Sequence, residues 1–391
     1  MMTSTQLMFP GMGRERTLLT PVGFPASALE AIDWNFGDVR PDAIHNVHPY
    51  PAKFIPEIPR LLLQNLRPSP VHAVFDPFCG SGTTLVEAQR LGFPAVGVDL
   101  NPIACLLTKV KTTPLPSAFL KAAYDCAHEA SGIENVTLPE IPNLTHWFCE
   151  EASIGLTKLT EVIRRVTDEG LKDHLRLALS SIIVRVSNQD SDTRYAAVHK
   201  AVAESDVYIQ FKKASRKLAE AKLGMSDNLQ PVRVLNKDVL RVRPSDIGTS
   251  VGMVITSPPY PNAYEYWLYH KYRMWWLGWD PIGVREAEIG ARPHYFRKNH
   301  ATVEDFRLQM VQVVALVEEI LVRGGYFCVV IGRSKIHGKE VDNSSMFSLA
   351  AQNAGMRLLT TLARTISPSR KSFNLSHARI KTEDILVFLK P

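Results

Sequence analysis

The sequence predicts an α/β protein built on a mainly parallel, doubly wound sheet with helices on both faces, plus a helical insertion. Three observations predict it. Apolar runs of strand length recur as VHAVFDPF, PAVGVDL, VRVLNKDV, VGMVITS, GGYFCVVIG, MRLLTTLAR and DILVFLK, and unbroken runs of this kind suit strands buried on both faces. Helical patterns lie between them, at IPRLLLQNL, GTTLVEAQRLG and residues 264–277, 303–322 and 346–354. Residues 115–230 carry helical faces only, with Leu159, Val162, Ile163 and Val166 on one and Leu175, Leu179, Ile182, Ile183 and Val186 on another.

In chain order, residues 1–45 read as an N-terminal arm around a short helix near 26–34. The α/β domain is expected over 46–114 and 231–391, with the helical insertion at 115–230. IPRLLLQNL is an amphipathic helix that leads into VHAVFDPF, a strand stopped at Asp76-Pro77, where proline removes a ladder donor. GTTLVEAQRLG is a helix ending at Gly92, and PAVGVDL a second buried strand ending at Asp99, which completes a β-α-β unit.

The composition of the 391 residues, 45% hydrophobic and 21% charged, is ordinary for a soluble enzyme, and no apolar run reaches bilayer length. The N-terminus lacks the layout of a secretion signal, so a cytoplasmic location is expected. Cys79, Cys105, Cys126, Cys149 and Cys328 form no C-x-x-C pair, which argues against a disulfide framework or a thiolate metal site. A formal charge of +6 and a pI near 9.0 are compatible with a polyanionic partner.

In FDPFCGSGTT the first strand ends in acidic Asp76, and Gly80 and Gly82 let the backbone pass close to a ligand as Thr83 opens a helix. Such a turn can also be a plain β-α connection. It lacks both the G-x-G-x-x-G of dinucleotide sites and the lysine of phosphate loops, which disfavours hydride transfer and nucleotide hydrolysis. A zwitterionic ligand suits it better.

Phe78, Gly80 and Gly82 match an F-x-G-x-G, and through them the chain resembles the amino-methylating DNA methyltransferases of the cytosine-N4 and adenine-N6 type, the bacterial modification methylases. HPYPAKFIPEIPRLLL resembles the segment which that family places upstream, closing over the methionine end of the cofactor, and it implies contacts from Tyr50, Lys53 and Phe54. The resemblance implies a Rossmann-like sheet and S-adenosyl-L-methionine as cofactor. It gives Asp99 the ribose hydroxyls and Asp238 the adenine amino group, with Asp76, Thr83 and Asn101 completing the cofactor set. Taken alone, an aspartate at a strand end is equally a turn cap.

VGMVITSPPY ends in Ser257, Pro258, Pro259 and Tyr260, where the prolines end ladder pairing and stiffen the chain. An exocyclic amine is a poor nucleophile because its lone pair is delocalised, and the Ser257 hydroxyl and Pro258 carbonyl can accept its protons and localise that pair. A base inside a duplex must be flipped out and held, and Tyr260 offers the ring. The serine-first form resembles the cytosine-N4 branch. No cysteine follows a proline, which argues against covalent C5 methylation. No metal is expected, and His199 and His270 read as helix-surface residues.

The helix YEYWLYHKYRMWWLGW follows directly and should wall the base pocket, with most of its rings in the core. The basic stretches 285–299 and 367–381 suit phosphate contact. RVSNQDSDTRY, at 185–195, is either a reader of base edges or a buried polar turn. The expected function is site-specific methylation of cytosine N4 in double-stranded DNA. By resemblance alone, the setting would be a restriction-modification system with a cognate endonuclease. Adenine-N6 methylation, RNA base methylation and a silent DNA-binding subunit are the alternatives, and the oligomeric state is left open.

Overall fold

A computed structural model of the chain describes residues 26–37, 42–192, 194–225, 228–261, 265–295, 300–336, 339–366 and 382–391. After α1 (Ala26–Glu30), α2 (Glu57–Leu66) turns Ile58, Leu62, Leu63 and Leu66 inward, as its amphipathic spacing requires. Next come β1 (Ala73–Asp76), α3 (Thr83–Arg90), β2 (Ala95–Asp99) and α4 (Pro102–Thr112). The start of α4 is dictated locally: the Asn101 side chain accepts from the Ile103 amide, and Pro102 occupies the first turn, where its missing N–H costs nothing.

Five helices follow, α5 (Phe119–Ser131), α6 (Leu144–Trp147), α7 (Glu150–Arg165), α8 (Glu169–Ile182) and α9 (Glu204–Ala221). The chain returns to the sheet with β3 (Val232–Asn236), α10 (Pro244–Ile247), β4 (Val251–Thr256), α11 (Tyr266–Trp276), α12 (Pro281–Ala287), α13 (Val303–Ile320) and β5 (Leu321–Gly332). It closes with the β6 (Ser334–Ile336) and β7 (Lys339–Val341) ribbon, α14 (Asn343–Asn353), β8 (Arg357–Thr365) and β9 (Thr382–Leu389).

The main sheet has the order β3-β2-β1-β4-β5-β9-β8. It is Rossmann-like and mainly parallel, as expected, but β9 runs antiparallel to both β5 and β8. The chain leaves β1 for β2 on one side, and β4 lies on the other, so a crevice opens at the carboxyl ends of β1 and β4. Thr256 and Asp76 meet at these two tips, the hydroxyl donating to the carboxylate at 2.7 Å.

One face of the sheet packs on α13 and α14 and the other on α2 and α3. A third core joins α5, α7, α8 and α9 to α4 and α11, through buried Phe119, Leu156, Leu175 and Phe211 on one side and Leu107, Val110 and Trp276 on the other. A buried side chain of this size stabilises by about 1.5–3 kcal/mol, so the shared surface is energetically substantial. Within 185–195, Ser187, Asn188 and Gln189 are buried, with Gln189 bridging to Ala197 and Asn188 accepting from the Lys200 amide, so this part is a buried polar turn, whereas Arg185 and Arg194 are exposed.

His270 departs from the sequence reading. It is fully buried in α11 beside Tyr50, whereas His199 is exposed. The reason is that α11 carries rings on every side and has no polar stripe to mark a solvent face. Among the described residues no helix is long and apolar enough to cross a membrane, no group of three or more His, Cys, Asp or Glu is placed to hold a metal, and all five cysteines are free. The basic stretch 367–381, residues 296–299, Thr193 and most of the arm lie outside the described residues.

Candidate active site

A cavity of about 320 Å³ lies at the carboxyl ends of β1, β2 and β4. Its floor is the turn after β1. Gly80 adopts φ +48 and Gly82 φ +76, conformations that glycine reaches without strain. The two glycines do different work. A Cβ on Gly80 would lie 3.4 Å from the Tyr50 hydroxyl, in the cavity, whereas a Cβ on Gly82 would lie 2.5 Å from Thr108 Oγ1, inside the protein. Gly82 and buried Thr83, whose hydroxyl is 3.3 Å from that of Ser81, are absent from the cavity wall, and the other residues singled out in the sequence all line it.

The upstream segment arches over the turn. Tyr50 lies against Gly80, its ring 5.8 Å from that of Tyr266 and 5.0 Å from that of His270. Lys53 donates to the His45 carbonyl at 2.9 Å, and burial lowers its ammonium to about 8. Phe54 is half-buried beside them.

Three carboxyl groups face this space, those of Asp76 and Glu288 buried and that of Asp99 half-buried. Asp76 accepts from Thr256 and from the Phe78 amide. Asp99 accepts from the Gly80 amide on one oxygen and the Asn101 amide on the other, both at 2.8 Å, which fixes its plane and leaves lone pairs toward the cavity. Glu288, just beyond α12, accepts from the Tyr266 and Trp267 amides at the start of α11. Burial raises Asp76 and Asp99 to about 6 and Glu288 to about 8, the last helped by the nearby charges of Asp99 and Glu265. None of the three is paired with a lysine or arginine among the described residues. At neutral pH Asp76 and Asp99 carry charge while Glu288 keeps its proton, and Lys53, Lys237 and Arg364 line the same cavity. The Asn101 Nδ2, buried and without a partner among the described residues, adds a donor in the same wall, and Asp238 adds an acceptor while capping the turn at Val239–Arg241.

Ser257, Pro258, Pro259 and Tyr260 leave β4 directly into the cavity. Tyr260 is nearly buried, and its hydroxyl donates to Glu383 Oε1 at 2.9 Å. Burial, together with that carboxylate, holds the phenol well above its ordinary range, so it stays protonated. Glu383 is in turn bound by Arg364 at 2.7 Å.

The profile of the DNA methylase family matches residues 28–110, from α1 into α4, the stretch that holds the arching segment, the glycine turn and Asp99. Over that stretch the chain is similar to the DNA methylases. The Type II methyltransferase M.MvaI of Kocuria varians is 29% identical over 248 residues, which cover 56% of this chain and 53% of its own. For M.BsoBI of Geobacillus stearothermophilus the identity is 24% over 277 residues, 62% of this chain and 54% of the relative. M.MjaII of Methanocaldococcus jannaschii is 40% identical over 68 residues, 17% of this chain and 13% of the relative. The chain spans about half the length of the first two.

The family motifs do not account for the whole cavity. Glu288, Arg364, Glu383, Tyr266 and Tyr269 also line it. Nothing local marks Glu288, Arg364 or Glu383 in the sequence, because each is a single charged residue brought in by tertiary packing. A charge inside the strand run of β8, at Arg364, is the one available signal.

Proposed function

We propose that this chain belongs to the amino-methylating DNA methyltransferases and is an S-adenosyl-L-methionine-dependent enzyme acting on an exocyclic base amine, the N4 of a flipped-out cytosine. The observation that carries the reading is the convergence of three carboxyl groups and the Ser257, Pro258, Pro259 and Tyr260 loop in one cavity at the switch point of the sheet. A cofactor bearing a sulfonium and an ammonium fits beside these carboxyl groups, and the open lone pairs of Asp99 suit paired hydroxyls. Tyr50, Lys53, Gly80, Asp99, Asn101 and Asp238 would hold it, and when bound it supplies an electrophilic methyl group.

The chain's own residues prepare the nucleophile. The Ser257 hydroxyl and Pro258 carbonyl accept from the amine's N–H groups, which localises the lone pair at nitrogen. Tyr260 offers its face to the extrahelical base and remains neutral while doing so. The amine exchanges one N–H proton for the methyl group, and that proton leaves to solvent or to a nearby acceptor. On the same reading, residues 115–230 carry target recognition, and the enzyme is the modification partner of a restriction system.

Mass spectrometry of nucleosides from unmethylated DNA incubated with the protein and S-adenosyl-L-methionine tests this. N4-methylcytosine is the expected product. N6-methyladenine would overturn the choice of base and keep the chemistry, and the absence of any modified base would overturn both.

A further inference from the structure

The Tyr260 hydroxyl does not end the polar chain that begins at the catalytic loop. It donates to Glu383 Oε1, and Glu383 Oε2 accepts from Arg364 Nη1 at 2.7 Å. The arrangement is built into the sheet, since Arg364 and Glu383 are direct partners in the β8 and β9 register. Both residues line the active-site cavity, and the Arg364 side chain is only 5% exposed. Yet its Nε–H has no hydrogen-bond partner among the described residues. A buried guanidinium donor left empty beside the reacting groups is costly unless something binds there.

What binds must be an acceptor, and its position follows from Tyr260. A base lying on the face of that ring presents its edges around the ring's rim, and Arg364 stands at the hydroxyl end of that rim, fixed through Glu383. We propose that Arg364 reads the target base, its Nε–H donating to the ring acceptor beside the reacting amine, the N3 of cytosine. Glu383 is then a positioning residue that orients the reading guanidinium and the stacking phenol together. This rests on the function proposed above and adds a determinant of substrate choice to it. A planar guanidinium whose one terminal nitrogen is committed to Glu383 can present Nε in one direction only, which suits discrimination better than a flexible ammonium.

The test uses the full chain and a duplex carrying the methylation site, located by sequencing DNA that the wild-type protein has methylated. Binding of S-adenosyl-L-methionine and of two duplexes, one with the target base and one abasic at that position, is measured for wild type, R364M and R364K. The expected result is cofactor affinity within twofold of wild type, about tenfold weaker binding of the base-containing duplex, and unchanged binding of the abasic one. R364K keeps a charge for Glu383 but has no Nε donor, so it should behave as R364M does, and it carries the test if the methionine variant fails to fold. Equal weakening on both duplexes would overturn the inference in favour of a phosphate contact. A tenfold loss of cofactor affinity would overturn it in favour of a cofactor contact, and wild-type behaviour of R364K would also overturn it. If the wild-type protein methylates nothing, the functional reading fails first, and this inference falls with it.

Discussion

The Nζ of Lys111, on α4, donates to the carbonyl of Ser81 at 2.7 Å, so the glycine turn is held from beneath by the helix that follows the second strand. Lys111 is almost completely buried, and Thr108, one turn earlier, donates to the Gly80 carbonyl at 3.1 Å. Burial pushes that lysine well below its ordinary range, so its bond is weighed as an ordinary hydrogen bond, about 1 kcal/mol or roughly a fivefold change in an equilibrium constant. Lys111→Met should therefore weaken S-adenosyl-L-methionine binding about fivefold by calorimetry while leaving the Ser257 and Tyr260 chemistry in place. An unchanged dissociation constant would remove Lys111 from the turn's support.

Gly82 and Gly80 should respond differently to alanine. At Gly82 a Cβ collides with Thr108 in a left-handed conformation, and a loss of about 2 kcal/mol in urea unfolding is expected. At Gly80 the Cβ meets the Tyr50 ring at ordinary contact distance, so the stability loss should be smaller and the effect on ligand affinity larger. If both variants lose stability equally, the division of labour between the glycines is wrong.

The raised carboxyl of Glu288 sets a pH dependence with a definite sign. Its folded-state pKa of about 8 lies above the ordinary glutamate range, so the folded protein keeps a proton that the unfolded chain has already released. The stability contributed is complete below about pH 4.5 and is lost as pH rises through 8. Wild type should accordingly lose stability relative to Glu288→Gln between pH 5 and pH 9, by a few kcal/mol. Asp99, Glu265 and Tyr50 are the titratable groups acting on or from Glu288, and all disfavour its ionisation or have theirs disfavoured by it. Parallel denaturation curves of the two proteins at the two pH values would decide, and a constant difference would contradict the assignment.

Ser257→Ala and Tyr260→Ala should separate chemistry from cofactor binding. Each is expected to lower methyl transfer about a hundredfold, the scale on which positioned polar groups act in active sites. Cofactor affinity should stay within twofold. Full activity in either variant would sink the mechanism.

Much of this molecule is legible in its residues because the first β-α-β unit is local. Asp76, the glycine turn and Asp99 fall within twenty-four positions, and their spacing alone sets a turn, a helix start and an acidic strand tip. The reversed direction of β9 is not legible, since an apolar run such as DILVFLK reads the same in either direction and only its pairing with β5 and β8 orients it. His270 was misplaced because helical periodicity identifies a surface by its polar stripe, and α11 has none. Glu288, Arg364 and Glu383 escape for another reason: a helix end supplies the first and two consecutive strands much later in the chain the others, and no motif joins them. Gly82 and Thr83 show the reverse error, a motif position whose work is packing rather than ligand contact.

The core shared by α4, α11 and the helices between β2 and β3 has a bearing on how proteins of this architecture can diversify. A region joined to its host by Leu107, Val110, Phe119 and Trp276 cannot be transplanted as a cassette without severing hydrophobic contacts on both sides of the graft. Chimeras that exchange residues 115–230 between relatives should need the inward faces of α4 and α11 carried along. If residues 115–230 carry target recognition as proposed, new specificities would arise by drift of exposed positions on a fixed framework, more readily than by shuffling of whole segments.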